Sequence, residues 1–272
     1  MASIADQSIA ELGGRSSVLV RQKRDHVELD RLLQELDAAP AHQQGPILLR
    51  IYRLVFPHAF AEEAVLWPVM RRLLPDGHAL TLQVELEHQQ INALVTELEA
   101  LPAGSPAHRQ TLDRVVRLLK EDVRDEEDKL LPRLQAALSP AKLRLLGLAW
   151  DLVRAIAPTR AHPIVSRRPP GNVLAALPLA LLDRLRDSLD ARIGQSAGPV
   201  APVAQRLSLA LRRGSHAVER LPGMKRGEDP ATRVRGSGSK SSRTLYLVGG
   251  VGLAAALIFV RSRAGTGNLR RA

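Results

Sequence analysis

The chain of 272 residues contains no cysteine and few aromatic residues. The absence of cysteine excludes disulfides, thiolate zinc sites, iron–sulfur clusters and thiol catalysis. Aromatic residues make up only 3% of the chain, whereas 45% of its residues are hydrophobic. The core must therefore be built mainly from Leu, Ala and Val, a composition that favours helices over strands.

The amino-terminal segment also lacks the basic cluster and apolar run of a secretory signal. Residues 1–16 are mostly polar and include Gly13 and Gly14. We expect these residues to form a loose lead-in. We also expect the folded part of the chain to lie in the cytosol.

Charge is distributed unevenly along the chain. Residues 1–160 carry 20 basic and 22 acidic side chains, whereas residues 161–272 carry 19 basic and 6 acidic ones. This change predicts a boundary near residue 160. A basic tail can bind nucleic acid or an anionic membrane surface. Its basic residues are not interleaved with aromatics and no nucleic-acid-binding motif is present, which argues against nucleic acid as the partner.

Two stretches of eleven residues, 58–68 and 122–132, resemble each other without a gap. Each begins with a metal-ligand type, His58 or Asp122, continues with a Glu-Glu pair four residues later and ends with proline. His26 lies 32 residues before His58, and His88 lies 34 residues before Asp122. The repeated unit is therefore a helical hairpin. Two hairpins predict a four-helix bundle.

Apolar residues at three- and four-residue spacing predict the helices of this bundle. The helices are expected at about 17–39, 46–74, 78–101 and 106–138, with a fifth at about 139–156. Pro68 should interrupt the second helix, and Ser105 and Ser139, each followed by proline, should cap helix starts. The chain is thus predicted to be all-α. Residues 17–160 would form an up-and-down four-helix bundle with a fifth trailing helix.

Six residues of metal-ligand type lie on the apolar stripes of the predicted helices. An ionisable group on a buried stripe must be neutral, paired or bound to a cation, since burying it alone costs several kcal/mol. Imidazoles and carboxylates without thiolates suit iron, and manganese and zinc fit the same donors. Six donors exceed the needs of one tetrahedral zinc, and glutamates from two helices can bridge two ions. The candidate metal ligands are His26, His58, Glu62, His88, Asp122 and Glu126.

Neighbouring acidic residues and the other histidines are expected to play different roles. Glu63, Glu127, Asp125 and Asp128 should lie on solvated helix faces or pair with Arg124 and Lys129. The histidines at loops, helix starts or the tail are not expected to be ligands; these are His42, His78, His108, His162 and His216. A ferritin-like site would need Glu-x-x-His on two helices, and only Glu85 to His88 matches that spacing.

Over about residues 17–138 the chain resembles the hemerythrin-like family of HHE cation-binding domains. The resemblance lies in His26, His58-x-x-x-Glu62, His88 and a final ligand-x-x-x-Glu126. Members of that family are four-helix bundles with a non-haem di-iron centre. They bind dioxygen or related small ligands, or serve redox sensing or iron handling. The resemblance implies that these five residues are ligands. The family has His at the position of Asp122, where Asp has a shorter reach and a charge that favours the ferric state.

The carboxy-terminal part of the chain is predicted to attach the bundle to a membrane. Residues 161–243 read as a basic linker, rich in Pro and Gly, with short amphipathic helices at about 173–193 and 200–221. Residues 244–260 are uncharged and flanked by arginines, as in a transmembrane helix. The basic excess before this span predicts a single-pass anchor with a cytoplasmic bundle. Gly250 and Ala254 would allow close helix pairing, hence a homo-oligomer.

Three functions fit these observations. The first is a membrane-tethered di-iron protein that binds or senses O2, NO or peroxide, or handles iron. The second is an oxidoreductase that uses the same centre to consume peroxide or NO. The third is a helical interaction module without metal.

Overall fold

The structure, a computed structural model, describes residues 2–193 and 201–233. Within these ranges every regular element is helical, which confirms the all-α prediction there. The α-helices are α1 Val18–Ala38, α2 Gln44–Ala61, α3 Trp67–Leu73, α4 Gly77–Leu98, α5 Pro106–Asp125, α6 Leu131–Ala137, α7 Pro140–Ile156, α8 Gly171–Ile193 and α9 Ala201–Glu219. The predicted membrane span at 244–260 lies outside the described residues. None of the helices in the described ranges is long and apolar enough to cross a membrane.

Two π turns divide the second and fourth predicted helices. The turn Glu62–Leu66 joins α2 to α3, and the turn Glu126–Leu130 joins α5 to α6. Each turn begins at a repeated Glu-Glu pair, and Pro68 or Pro132 lies in the first turn of the helix that follows. The interruption predicted from Pro68 therefore exists, but it begins six residues before the proline. Single π turns inside α-helices are frequent at functional sites.

Two apolar clusters fill the bundle, and the candidate ligands lie between them. The first cluster includes Leu19, Met70 and Leu130, and the second includes Leu32 and Leu119. The chain passes from the first cluster to the second along α1 and returns along α2. It makes the same passage along α4 and returns along α5. Successive helices therefore alternate in direction, and each crosses the polar layer once.

Serine side chains begin the helices at the predicted positions. The hydroxyl oxygen of Ser105 accepts a hydrogen bond from the backbone N–H of His108 at 3.1 Å. Ser139 accepts one from Lys142 at 3.5 Å. Each serine is followed by proline at the start of its helix, where the missing N–H costs nothing because the first N–H groups of a helix have no partner within it.

The amino-terminal segment packs onto the bundle, so the expectation of a loose lead-in was wrong. Ile4 and Leu12 are 0% and 1% exposed and belong to the first apolar cluster. Helix α7 packs on α1 and α2. Its Trp150 is fully buried and meets the ring of His58 edge-on, with centroids 5.0 Å apart. These contacts close the bundle next to the polar layer.

Helices α8 and α9 lie at the two amphipathic stretches predicted within the linker, at about 173–193 and 200–221. Helices α8 and α9 pack on each other, and α8 also contacts α2 and α7. Val165, Ala175 and Leu179 form a small apolar cluster in this region. The buried groups here also include Asp183, Asp187 and Glu219, three of the six acidic side chains after residue 160.

Candidate metal centre

The structure brings all six predicted ligands together inside the bundle. Five of them are at most 9% exposed: His26, His58, Glu62, His88 and Glu126. The Asp122 side chain is 12% exposed. They come from four helical rods, because α2 and α5 continue through their π turns. Residues that are far apart in the sequence thus come together in one polar layer.

One half of the layer is built around His26 and His58. Their Nε2 atoms are 3.3 Å apart. The Nε2 atom of His26 lies 3.2 Å from Oε2 of Glu126, and that of His58 lies 3.9 Å from the same oxygen. One ligand atom from each of these three residues can be chosen so that all lie within 4.8 Å of one another. This group could hold a metal ion.

The other half is built around His88. Its Nε2 atom lies 3.6 Å from Oε2 of Glu62 and 3.6 Å from Oδ2 of Asp122. It also lies 3.9 Å from Oε1 of Glu126. Glu62, His88 and Glu126 form a second group within 4.8 Å. Asp122 lies beside this second group, on the side of His88.

The two glutamates connect the halves. Oε2 of Glu126 faces His26 and His58, whereas its Oε1 faces His88. Glu62 spans the layer in the same way, with Oε1 3.5 Å from Nε2 of His58 and Oε2 3.6 Å from Nε2 of His88. A carboxylate whose two oxygens face two different donor groups is suited to bridge two cations.

Several oxygen atoms in the layer have no hydrogen-bond donor. Oε2 of Glu62, Oε1 of Glu126 and Oδ1 of Asp122 are buried without a hydrogen-bond partner. Leaving such a group unsatisfied costs about 1–3 kcal/mol, more when it is charged. A bound cation would satisfy all three, and oxygen with imidazole nitrogen is a donor set that iron accepts. The residues present therefore fit a metal site.

Each histidine of the layer is oriented by a carboxylate on its other ring nitrogen. Nδ1 of His58 lies 3.2 Å from Oδ2 of Asp25, and Nδ1 of His88 lies 3.0 Å from Oε1 of Glu63. Nδ1 of His26 lies 2.9 Å from Oε1 of Glu127. Such carboxylates hold the proton on Nδ1 and leave Nε2 free to bind a metal. All three Nε2 atoms point into the layer.

Two of these orienting carboxylates contradict the sequence prediction. Glu63 is 1% exposed and the Glu127 side chain 15% exposed, so assigning them to solvated faces was wrong. That assignment assumed the step of about 100° per residue of an α-helix, which does not hold in a π turn. Asp25 was missed, although it lies on the same stripe as Leu29. Asp125 pairs with Lys129 at 2.7 Å as expected, and Asp128 is exposed.

The ionisable groups of the layer shift one another's pKa values. Burial alone would lower the pKa of His26, but hydrogen bonds with Glu126 and Glu127 raise it to about 9. Burial, and then repulsion from Glu126, raise the pKa of Glu62 to about 7. Burial would raise the pKa of Glu126, yet the neighbouring imidazoles of His26 and His58 lower it. Protons and cations therefore compete for this layer.

A cavity opens beside the polar layer. Five of the six candidate ligands line it, all except Glu62, together with Asp25, Asn92, Ala59 and larger apolar side chains. The latter are Leu29, Leu54, Val55, Phe56, Ile91, Leu119 and Val123. The cavity can receive a small molecule next to the candidate ligands.

The fold and the polar layer together define a helical bundle with a candidate internal cation site. Residues 17–134 match the family model described as hemerythrin HHE cation binding domain. This part of the chain is therefore similar to the hemerythrin HHE cation-binding domains, as its motifs indicated. An uncharacterized hemerythrin-like protein of Schizosaccharomyces pombe is 25% identical over 134 residues, which cover 49% of this chain and 66% of that protein. No solved structure matches the chain.

Proposed function

We propose that the chain is a non-haem di-iron protein that binds or senses a small molecule such as O2, NO or peroxide. The observation that carries this proposal is the position of Glu126, which belongs to both candidate metal groups. Its two oxygens face opposite halves of the layer, as do those of Glu62. A site for one ion would not need two carboxylates that each span the layer.

In this proposal His26 and His58 hold one ion and His88 and Asp122 the other, with Glu62 and Glu126 available to both. Manganese or zinc would suit the same donors. A pair of bound irons supplies a redox-active Lewis-acid centre that can take up a small ligand. The four-helix bundle contributes a fixed arrangement of donors, because each ligand comes from a helix packed on its neighbours.

The residues around the ligands prepare them for metal. Asp25, Glu63 and Glu127 accept the Nδ1 protons of the three histidines. When a cation displaces the second ring proton, each Nε2 atom offers a free electron pair toward the layer. The amide nitrogen of Gln22 donates to Oε1 of Glu62 at 2.9 Å, which supports the orientation of this carboxylate.

The cavity supports binding of a small, uncharged ligand. Its larger side chains are aliphatic or aromatic, so it offers little to an ionic substrate. Its acidic and imidazole groups are five of the candidate ligands, without Glu62, and Asp25, which is engaged with His58. A separate general base is thus not among the lining residues, which favours binding over catalysis. Consumption of peroxide or NO by the same centre is the alternative.

We also propose that residues 244–260 anchor the protein in a lipid bilayer and leave the bundle in the cytosol. The support is the uncharged run between Arg243 and Arg261 and the basic residues before it. Close pairing through Gly250 and Ala254 would give a homo-oligomer. Deleting residues 244–260 should move the protein from the membrane fraction to the soluble fraction. Retention in the membrane fraction would contradict the anchor.

The metal proposal is tested by elemental analysis and absorption spectroscopy of protein produced in iron-rich medium. The wild type should contain about two irons per chain and show a near-ultraviolet oxo-iron band. The double variant Glu62→Ala, Glu126→Ala should lose both signals. Asp128→Ala is the matched control, because Asp128 is exposed in the same π turn as Glu126. Decay of added peroxide or NO, compared between wild type and double variant, separates catalysis from binding.

A wild type without metal, or a double variant with unchanged iron content, would refute the di-iron proposal. The first of these results would favour a helical interaction module without metal. One iron per chain would contradict the shared role of Glu126.

A further inference from the structure

The segment between α7 and α8 lies along the helix that carries His88. We call residues 158–168 the strap. The side chains that meet it lie at positions 85, 89 and 92 of α4 and at Glu99, the residue that caps its end, a spacing that puts them on one helix face. The contacts are Arg160 to Glu99 at 3.1 Å, the N–H of His162 to Asn92 at 2.9 Å, Gln89 to the carbonyl of Pro163 at 2.8 Å, and Arg168 to Glu85 at 2.7 Å.

The strap reaches the candidate metal centre through Arg167. This side chain is 9% exposed, and its Nη1 lies 3.8 Å from Oε1 of Glu63. The same oxygen is 3.0 Å from Nδ1 of His88. The amide of Asn92, which accepts a hydrogen bond from the strap, donates one to the carbonyl of His88 at 2.9 Å. The strap therefore contacts the carboxylate that orients the His88 ring, and it is linked to the backbone of His88 through the side chain of Asn92.

Helix α7 makes a parallel contact on the other half of the layer. Nη1 of Arg154 lies 3.0 Å from Oδ2 of Asp25. That oxygen is 3.2 Å from Nδ1 of His58. Two chains of contacts thus share one order: arginine, carboxylate, imidazole. Both arginines lie beyond residue 134, where the match to the family model ends.

We propose that Arg154 and Arg167 are positioning residues that set the reduction potential of the metal centre, an inference that rests on the proposed function. A carboxylate bonded to the Nδ1 proton strengthens the imidazole as a metal ligand. A guanidinium beside that carboxylate attracts part of its charge and weakens this effect. The bound metal then receives less electron density, which favours its lower oxidation state. Removing the guanidinium should therefore lower the midpoint potential.

The test is a spectroelectrochemical titration of iron-loaded full-length protein. Arg154→Gln and Arg167→Gln should each have a lower midpoint potential than wild type, and the double variant should show the larger shift. Arg154→Lys, which keeps the positive charge, should lie closer to wild type. Arg160→Gln is the matched control, because Arg160 belongs to the strap but pairs with Glu99, Asp187 and Asp190. Elemental analysis of each variant gives its iron content.

The outcomes separate this inference from the function on which it rests. Gln variants with bound iron and the potential of wild type would overturn the inference and leave the di-iron proposal intact. Equal shifts in Arg154→Lys and Arg154→Gln would also overturn it, because charge would not be the cause. Since the Arg154 side chain is 24% exposed, its variants should fold even if Arg167→Gln does not. A wild type without iron would instead refute the proposed function.

Discussion

His162 provides a quantitative test of how the strap is held to α8 and α9. Its ring is buried between two carboxylates, with Nε2 2.9 Å from Asp183 and Nδ1 2.8 Å from Glu219. Both ring nitrogens face acceptors, an arrangement that only the protonated imidazole satisfies. We therefore expect His162→Gln to remove a buried cation that bridges three segments of the chain.

The size of the effect follows from the pKa of His162. Burial alone would lower this pKa, but Asp183 and Glu219 raise it to about 9 from the ordinary value of 6.5. One pKa unit corresponds to about 1.4 kcal/mol, so the bound proton stabilises the fold by about 3 kcal/mol. Because the folded-state pKa is the higher one, this contribution is fully present below the unfolded-state pKa. It is lost as the pH rises through about 9.

The assay is urea unfolding followed by circular dichroism, with wild type and His162→Gln both freed of metal by a chelator. The free energies of unfolding should differ most near about pH 6, and the difference should shrink by about 3 kcal/mol by about pH 10. Groups that titrate in both proteins cancel in this difference. His42→Gln serves as the control, because His42 is exposed. A difference that stays constant over this pH range would refute the assignment of a buried imidazolium.

Two further predictions concern the packing and the metal centre. A Cβ at Gly147 would overlap the backbone oxygen of Ser16, so Gly147→Ala should lower the free energy of unfolding by about 1–3 kcal/mol. Gly45→Ala, where the added Cβ meets open space, should leave it unchanged or raise it slightly; equal effects in urea unfolding would contradict this packing. Asp122→His replaces a buried carboxylate by a neutral ligand and should raise the midpoint potential while iron content persists. An unchanged potential in iron-loaded Asp122→His would show that Asp122 does not act on the metal.

The predicted helices and the observed ones agree because the bundle is regular over most of its length. Residues at three- and four-residue spacing form the buried stripe of a helix wherever the α-helical step persists. Such stripes include His26, His58, His88 and Glu126. The spacing along the chain therefore predicted that these side chains face the interior of the bundle. The repeated Glu-Glu pair correctly indicated where each hairpin contributes a carboxylate to the polar layer.

The errors occur where that regular step fails or where distant segments meet. Glu63 and Glu127 were misplaced because the π turns rotate the residues after Glu62 and Glu126 out of the α-helical pattern. Local spacing carries no information about which arginine approaches Asp25 or Glu63 from another part of the chain. The contacts of Arg154 and Arg167 with these carboxylates could therefore not be predicted from the sequence.

Periodicity and residue type were sufficient to establish the helical architecture and the inward-facing imidazoles and carboxylates, because both depend on neighbours within one helix. Other features depend on residues up to 129 positions apart in sequence. These are the pairing of Nδ1 atoms with carboxylates, the packing of α7 on the site and the contacts of the strap with α4. Such contacts exist only after the helices have packed, since their geometry is set by the relative placement of whole helices and not by local backbone preference.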